Sequence, residues 1–260
     1  METPVIDFHC HLGRWGRYGM DDDPADYVRI MDAAGVDKSC VNCINFGDAR
    51  RGNDLVARVV AERPDRFIGV AYVTPRYLDE AMSELKRCFD VLGFKFLKVY
   101  PDYLGKPIDD PDYAPIFEWA DERGLVIMSH SSYMPSRGPT AGDNELTRPD
   151  RFIALAQQYE KVNWVLAHSG NARPGQEMAI AAARACPNIY LETCTSMAEH
   201  DTIELLVNGA GEDRVLYGSD MPLMDARLQV GRVVTADITD EAKIKVLGLN
   251  ALSLLGSNDA

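Results

Sequence analysis

Short apolar runs and helix-patterned segments alternate along the whole chain, and this alternation limits the folds open to it more than any other feature. The apolar runs fall at 5–11, 39–45, 67–73, 94–100, 125–130, 162–168, 189–193 and 215–219. Between them lie segments of helical periodicity. The first takes Asp23 as N-cap and Pro24 at its first position, carries Tyr27, Ile30, Met31 and Ala34 on one stripe, and stops at Gly35. Others follow at 53–62, 78–92, 114–123, 149–160, 176–185 and 202–208, and a long C-terminal stretch covers 240–255. Strict β–α alternation implies a parallel sheet with right-handed crossovers. Eight units in 260 residues match a closed (β/α)8 TIM barrel in both count and length. No glycine-rich dinucleotide or phosphate loop follows any run, which counts against an open doubly wound sheet. No Pro-, Gly- or Ser-rich linker divides the sequence, so one barrel domain over 1–260 with a C-terminal helical extension is expected.

Charge narrows the partners. A net charge of −13 is wrong for nucleic acid, whose phosphates need a basic face, and for an anionic membrane surface. No apolar run reaches bilayer-spanning length, and the first strand begins within a few residues of Met1, so a cytoplasmic protein is expected. The 6 cysteines show no paired framework. Cys40 and Cys43 have zinc-knuckle spacing but lack a second pair, and a closed zinc site needs four ligands.

The first run reads Val5-Ile6-Asp7-Phe8-His9-Cys10-His11. Strict alternation sends Asp7, His9 and His11 to one face, with Phe8 and Cys10 on the other. Three polar groups on a buried face need a partner strong enough to offset their desolvation, and a metal ion is one. Of the 5 histidines, His9 and His11 end the first strand, His130 ends the fifth and His168 the sixth; only His200 lies elsewhere. Gly218-Ser219-Asp220-Met221-Pro222 puts a carboxylate at the end of the eighth, beside the first once a barrel closes. TIM-barrel sites occupy this rim. Imidazoles and a carboxylate converging there make a divalent-metal site, with zinc favoured and manganese or iron as alternatives.

This ordered set of Asp7-x-His9-x-His11, His130, His168 and Gly218-Ser219-Asp220-Met221-Pro222 resembles the amidohydrolase superfamily. More narrowly, it resembles the amidohydrolase-related (amidohydrolase 2) branch, which includes metal-dependent enzymes similar to aminocarboxymuconate semialdehyde decarboxylase. Gly93-Phe94-Lys95-Phe96-Leu97-Lys98-Val99-Tyr100-Pro101 and the closing segment 247–256 extend the likeness end to end. The resemblance implies that His9, His11, His130 and Asp220 hold one metal, with His168 nearby. Asp220 and His168 are then the catalytic candidates: Asp220 moves a proton, and His168 polarises a carbonyl or steadies an oxyanion. Lys98 stands near the place where binuclear relatives carry a carboxylated bridging lysine. It is equally a pocket-lining or substrate-binding group, the reading preferred here. Glu192 either lines the pocket or is a buried paired glutamate.

Arg14, Trp15 and Arg17 directly follow the metal histidines, and Arg50, Arg51, Arg76, Arg137 and Arg173 fall in other loops after strands. On an acidic chain they are either carboxylate-binding groups for an anionic substrate or ordinary solvated arginines. The leading expectation is a hydrolase using metal-activated water on a small amide, lactone or ester. The short chain, with little room for lid insertions, tilts it that way. Non-oxidative decarboxylation at the same site is the alternative, and a catalytically inactive metabolite-binding barrel is a further one. The expected partner is a small molecule, and a homodimer is compatible with short loops.

Overall fold

The computed structural model describes residues 3–13, 22–135, 145–195, 197 and 199–256. Among them, eight parallel strands run in chain order, each paired with the next: β1 (Ile6–His11), β2 (Lys38–Asn42), β3 (Phe67–Tyr72), β4 (Phe96–Val99), β5 (Val126–Ser132), β6 (Asn163–Gly170), β7 (Ile189–Glu192) and β8 (Val215–Leu216). The segment after β8 closes the circle. Phe8 N–H donates to Tyr217 O at 3.0 Å, His11 N–H donates to Met221 O at 2.7 Å, and Cys10 bridges Met221 in parallel. This is the expected (β/α)8 barrel, with the last seam carried by loop backbone.

The helices are α1 (Pro24–Ala34), α2 (Ala49–Glu62), α3 (Leu78–Asp90), α4 (Pro101–Leu104), α5 (Ala114–Arg123), α6 (Arg151–Gln158), α7 (Arg173–Ala185), α8 (Thr202–Ala210), α9 (Ala226–Val234), α10 (Asp240–Ile244) and α11 (Asn250–Leu255). Their ends follow local chemistry. At α1 the Asp23 carboxylate accepts from Ala25 N–H, Pro24 opens the helix, and Gly35 closes it at φ 71°. The single C-terminal helix expected over 240–255 is instead divided by a π turn, Lys245–Leu249. That turn lets Val246 O accept from Tyr217 N–H at 2.9 Å, tying the short β8 to the chain end. Gly248 makes the approach possible, because a Cβ there would overlap Pro4 O.

Two apolar layers hold the barrel. Inside, Ile6, Phe8, Phe96, Met128, Val165 and Leu216 form a cluster that α11 seals with Ala251. Phe8 and Phe96 stack across it, 4.5 Å between centroids. Outside, strand residues such as Cys10, Val41, Leu97 and Leu166 pack with helix residues such as Tyr27, Val56 and Ile180. Burying each large side chain is worth about 1.5–3 kcal/mol.

Further along the inward face of β4, β5 and β7 the series turns polar: Phe96 is followed by Lys98, Met128 by His130 and Tyr190 by Glu192, all on one rim. Strict alternation fails in β1, where the ladder to β2 shifts register between Asp7 and Cys10. Phe8 belongs to the inner cluster and Cys10 to the outer one. They do not share a face as strict alternation requires; the irregularity re-aims the end of the strand.

Candidate active site

His9 and His11 carry most of the site's logic. His9 Nδ1 lies 3.1 Å from Glu192 Oε2, and His11 Nδ1 lies 2.9 Å from Asn42 Oδ1. The amide of Asn42 is fixed in that sense because its Nδ2 donates to Cys10 O at 3.1 Å. Both Nδ1 atoms therefore carry a proton, and in the neutral form each ring turns an Nε2 lone pair inward. Those two Nε2 atoms are 3.1 Å apart, and Asp220 Oδ1 is 3.0 Å from His11 Nε2 and 3.5 Å from His9 Nε2. Two lone pairs and a carboxylate at this spacing repel unless a positive charge joins them. Lys98 supplies part of it, its Nζ 3.0 Å from His9 Nε2.

His168 and Asp220 reach the cluster on unusual backbone. His168, Ser169, Gly170 and Asn171 run consecutively through the left-handed region at φ 65°, 46°, 81° and 67°, and Asp220 adopts φ 58°. Such residues cost free energy and persist only where the surroundings hold them. Here Glu192 Oε2 accepts from His168 N–H at 3.0 Å, Ser169 Oγ donates to Glu192 O at 2.7 Å, and Thr195 Oγ1 donates to Asn171 Oδ1 at 2.7 Å. Gly170 and Gly175 pack so closely that a Cβ on either would overlap the other's backbone. One ligating atom each of His9, His168 and Asp220 lies within 4.8 Å of the other two. His130 joins from β5, its ring centroid 4.8 Å from that of His168. The Nδ1 atoms of His130 and His168 are buried with no hydrogen-bond partner.

Asp7 has a different job. Its Oδ1 accepts from His9 N–H at 3.1 Å and Ser219 N–H at 2.9 Å, and its Oδ2 accepts from Ser219 Oγ. It clamps β1 to the loop after β8 instead of sharing the histidines' face. Burial pushes its carboxyl up to about 7, against the pull of these donors.

Elsewhere in the site, burial and the neighbouring Lys98 hold His9 well below the ordinary imidazole value, and burial with His168 does the same to His130. Burial brings His168 down to about 4, against the pull of Asp220. Asp220 goes the other way: burial opposes ionisation, but the close contact with His11, with His168 and Lys98 nearby, brings it below the usual carboxylate value. Burial lowers Lys98 and raises Glu192. At neutral pH His9, His130 and His168 are poised as neutral donors of lone pairs beside an ionised aspartate.

A cavity of about 300 Å³ opens over this cluster, lined among the described residues by His11, Ile44, Tyr100, Tyr103, His130, His168, Asn171, Asp220, Leu223 and Met224. A larger hollow of about 670 Å³ over the starts of α2 and α3, lined by Asp48, Arg50, Tyr77 and Glu80 among others, holds none of the histidines. We place the chemistry in the smaller one because the perturbed groups converge there.

The expected residues His9, His11, His130, His168, Asp220 and Lys98 are thus brought together at one rim, with Glu192 as the buried partner of His9. Arg173 stands apart: its guanidinium pairs with Asp201, donates to His200 O at 3.0 Å, and is not among the cavity-lining residues. His200 is 99% exposed. Arg14, Trp15, Arg17 and Arg137 lie outside the described residues. Sequence reasoning passed over Asn42, which reads as strand filler between two cysteines. It also passed over Tyr100 and Tyr103, whose signal is two tyrosines three apart around a helix-starting proline. All 6 cysteines are free and buried. No helix among the described residues is long and apolar enough to cross a membrane.

Comparison with known proteins places this geometry in context. The chain is 26% identical over 235 residues to 2-amino-3-carboxymuconate-6-semialdehyde decarboxylase of Dictyostelium discoideum, covering 78% of this chain and 65% of that protein. It is 24% identical over 254 residues to gamma-resorcylate decarboxylase of Rhodococcus jostii, covering 79% and 75% respectively. The chain therefore spans about two thirds to three quarters of these relatives' lengths. Its fold matches the crystal structure of 2,6-dihydroxybenzoate decarboxylase from Rhizobium with a TM-score of 0.78 at 20% identity, over 98% of this chain and 99% of that one. It also matches dihydroxybenzoic acid decarboxylase from Polaromonas, solved with bound manganese and the inhibitor 2-nitroresorcinol, with a TM-score of 0.79 at 21% identity, over 100% and 98%. The family model described as Amidohydrolase matches residues 6–257, and the chain belongs to that family.

Proposed function

We propose that this protein is a metal-dependent decarboxylase that releases carbon dioxide from a small carboxylic acid. The observation that carries this reading is that the curated relatives matched over about four fifths of the chain, from amoeba and bacterium alike, are decarboxylases. Hydrolysis, which the sequence alone put first, rested on the shortness of the chain. That argument weakens once relatives with longer chains, matched over 65% and 75% of their lengths, carry names for carbon dioxide release.

The donor set fits a divalent ion. The inward Nε2 atoms of His9 and His11, Asp220 Oδ1 and the unpartnered His130 Nδ1 supply nitrogen and oxygen ligands suited to zinc or manganese, with His168 alongside. When bound, such an ion would supply Lewis acidity to the substrate's oxygen atoms. The chain's own residues do the rest. Decarboxylation breaks one carbon–carbon bond, leaves its electron pair on the substrate carbon, and needs one proton there. Asp220, ionised in the resting site, accepts a proton from a substrate hydroxyl or water and returns it to that carbon. His168, neutral at working pH, hydrogen-bonds a substrate oxygen through the Nδ1 that has no protein partner. Tyr100, Ile44, Leu223 and Met224 give the cavity an apolar wall for a flat carbon skeleton and keep water from the reacting carbon.

The test is a panel of small aromatic and unsaturated carboxylic acids alongside lactones, esters and amides, offered to protein loaded with zinc or manganese. Products lighter by carbon dioxide, lost on chelation and restored by the ion, support the proposal. Products heavier by water from the second group, with no carbon dioxide from the first, return the reading to hydrolysis. No turnover of any member favours a binding barrel.

A further inference from the structure

Of three histidines that line the rim, two are held in one way and the third in another. Glu192 fixes His9 through Nδ1, and Asn42 fixes His11 in the same manner. The ring of His130 makes no hydrogen bond to any described residue, and its Nδ1 is buried and unpartnered. An imidazole free to turn about its side-chain bonds is a poor ligand, since each productive approach would cost rotational freedom. Something else must hold this ring.

We infer that Tyr100 is a positioning residue for His130, fixing the imidazole plane by ring stacking where its neighbours use hydrogen bonds. Tyr100 and His130 have centroids 4.7 Å apart and planes inclined by only 24°. Tyr103 stacks on the far face of the same arrangement, 4.4 Å from Tyr100 at 22°. His168 meets the His130 ring edge-on, 4.8 Å away at 67°. The three-ring stack leaves the imidazole little freedom to tilt while making no hydrogen bond to Nδ1. A stacked phenol also competes for no lone pair, so it orients the ring without engaging the atom that must stay available.

The local sequence builds this support. In Tyr100-Pro101-Asp102-Tyr103-Leu104-Gly105, Pro101 starts the one-turn helix α4 and Gly105 ends it at φ 77°. Residues three apart face the same side of such a turn, and Tyr103 N–H donates to Tyr100 O at 3.2 Å. Arg76 Nη2 donates to Tyr103 O at 3.3 Å, anchoring the turn to the loop after β3. Position 100 directly follows β4, so the ring lands beside the end of β5, where His130 stands.

The inference rests on the metal reading of the site, so the experiment separates the two. Wild-type protein, Tyr100→Phe and Tyr100→Leu are loaded with cobalt(II), and affinity is read by chelator competition, ligand geometry from the visible d–d absorption, and folding from circular dichroism. Tyr100→Phe keeps the stack and is expected within about twofold of wild type with an unchanged spectrum. Tyr100→Leu, folded, is expected to bind about tenfold or more weakly with an altered spectrum, the range found when groups supporting a ligand are lost. A folded Tyr100→Leu with wild-type affinity and spectrum overturns the role. Equal loss in Tyr100→Phe and Tyr100→Leu also overturns it, because the hydroxyl and not the stack is then responsible. Tyr100→Met, of similar volume but without a ring, takes the same criteria if the leucine variant does not fold. Failure of the wild type to bind cobalt, zinc or manganese removes the metal reading and this inference with it.

Discussion

Glu192 Oε2 and His9 Nδ1 meet at 3.1 Å although the two residues are 183 positions apart, both fully buried at the rim of the closed barrel. The same carboxylate accepts backbone N–H bonds from His168 and Cys194. One side chain therefore sets the tautomer of a first-strand histidine and the backbone of the sixth-strand histidine together.

Glu192→Gln tests that joint role. The amide brings a donor where two N–H groups and His9 Nδ1–H all need acceptors, so at least one is left unpaired. Affinity for zinc or manganese is expected to fall about tenfold to a hundredfold, as it does when a ligand histidine loses its carboxylate partner. Chelator competition measures it; unchanged affinity would show that His9 does not depend on this contact.

Gly218 sits against both of these residues. A Cβ there would overlap Glu192 Oε1 and come within 2.8 Å of the His9 Cβ. Gly218→Ala is expected to lower unfolding stability by about 1–3 kcal/mol, the usual cost of overpacking. If the proposed metal site is right, metal affinity should fall with it, because the clash displaces His9 and its partner Glu192. Chemical denaturation paired with metal titration checks both. A loss of stability with metal binding intact would mean that the strain is absorbed on the β8 side.

Much of this was written locally. Short apolar runs and the Asp23–Pro24 to Gly35 helix are encoded by neighbours in sequence, so their order predicts the barrel. The rim histidines follow because they end those runs. What escaped depends on contacts that exist only after closure. Asp7 looks like a third member of the histidine face, yet the register shift in β1 turns it toward Ser219. Asn42 becomes a histidine partner only when β1 and β2 pair in their observed register. The α4 turn is too short for periodicity to register, and α9 lies in a stretch of mixed polarity outside the helix-patterned segments. The π turn at Lys245–Leu249 is invisible for a similar reason, since its cause is Pro4 and Tyr217, far away in the chain.

Away from the site, Glu84 joins α2 to α3 and gives a pH-dependent prediction. Arg87 binds it through Nη2 at 2.7 Å and Nε at 2.9 Å, and Asn53 Nδ2 donates to it at 3.0 Å. Burial would raise its carboxyl, but Arg87 and Asn53 outweigh that and leave it below the usual value. A carboxylate depressed in the folded state stabilises above its unfolded pKa of about 4.3, and this contribution disappears as pH falls through the lower folded value. Glu84→Gln should therefore cost about 2 kcal/mol at neutral pH, with the gap to wild type closing below about pH 4. Urea unfolding at both pH values measures it; a gap that stays constant would mean that shape, not charge, carries the contribution.

Arg173, a candidate for binding an anionic substrate, is engaged by acidic neighbours. It opens α7, where its guanidinium pairs with Asp201, donates to His200 O and approaches Glu199 at 4.0 Å. An arginine already committed to two acidic groups has little charge left for a carboxylate several residues away, and its side chain is 33% exposed. Arg173→Ala is accordingly expected to leave KM for carboxylic acids within about twofold, since nothing that touches substrate is removed. Stability should fall by about 0.2–1 kcal/mol, the range for exposed ion pairs. Steady-state kinetics with an acid and its neutral ester or amide analogue provides the check. A rise in KM of about tenfold or more, confined to the acid, would mean that Arg173 leaves Asp201 when substrate arrives and binds the carboxylate itself.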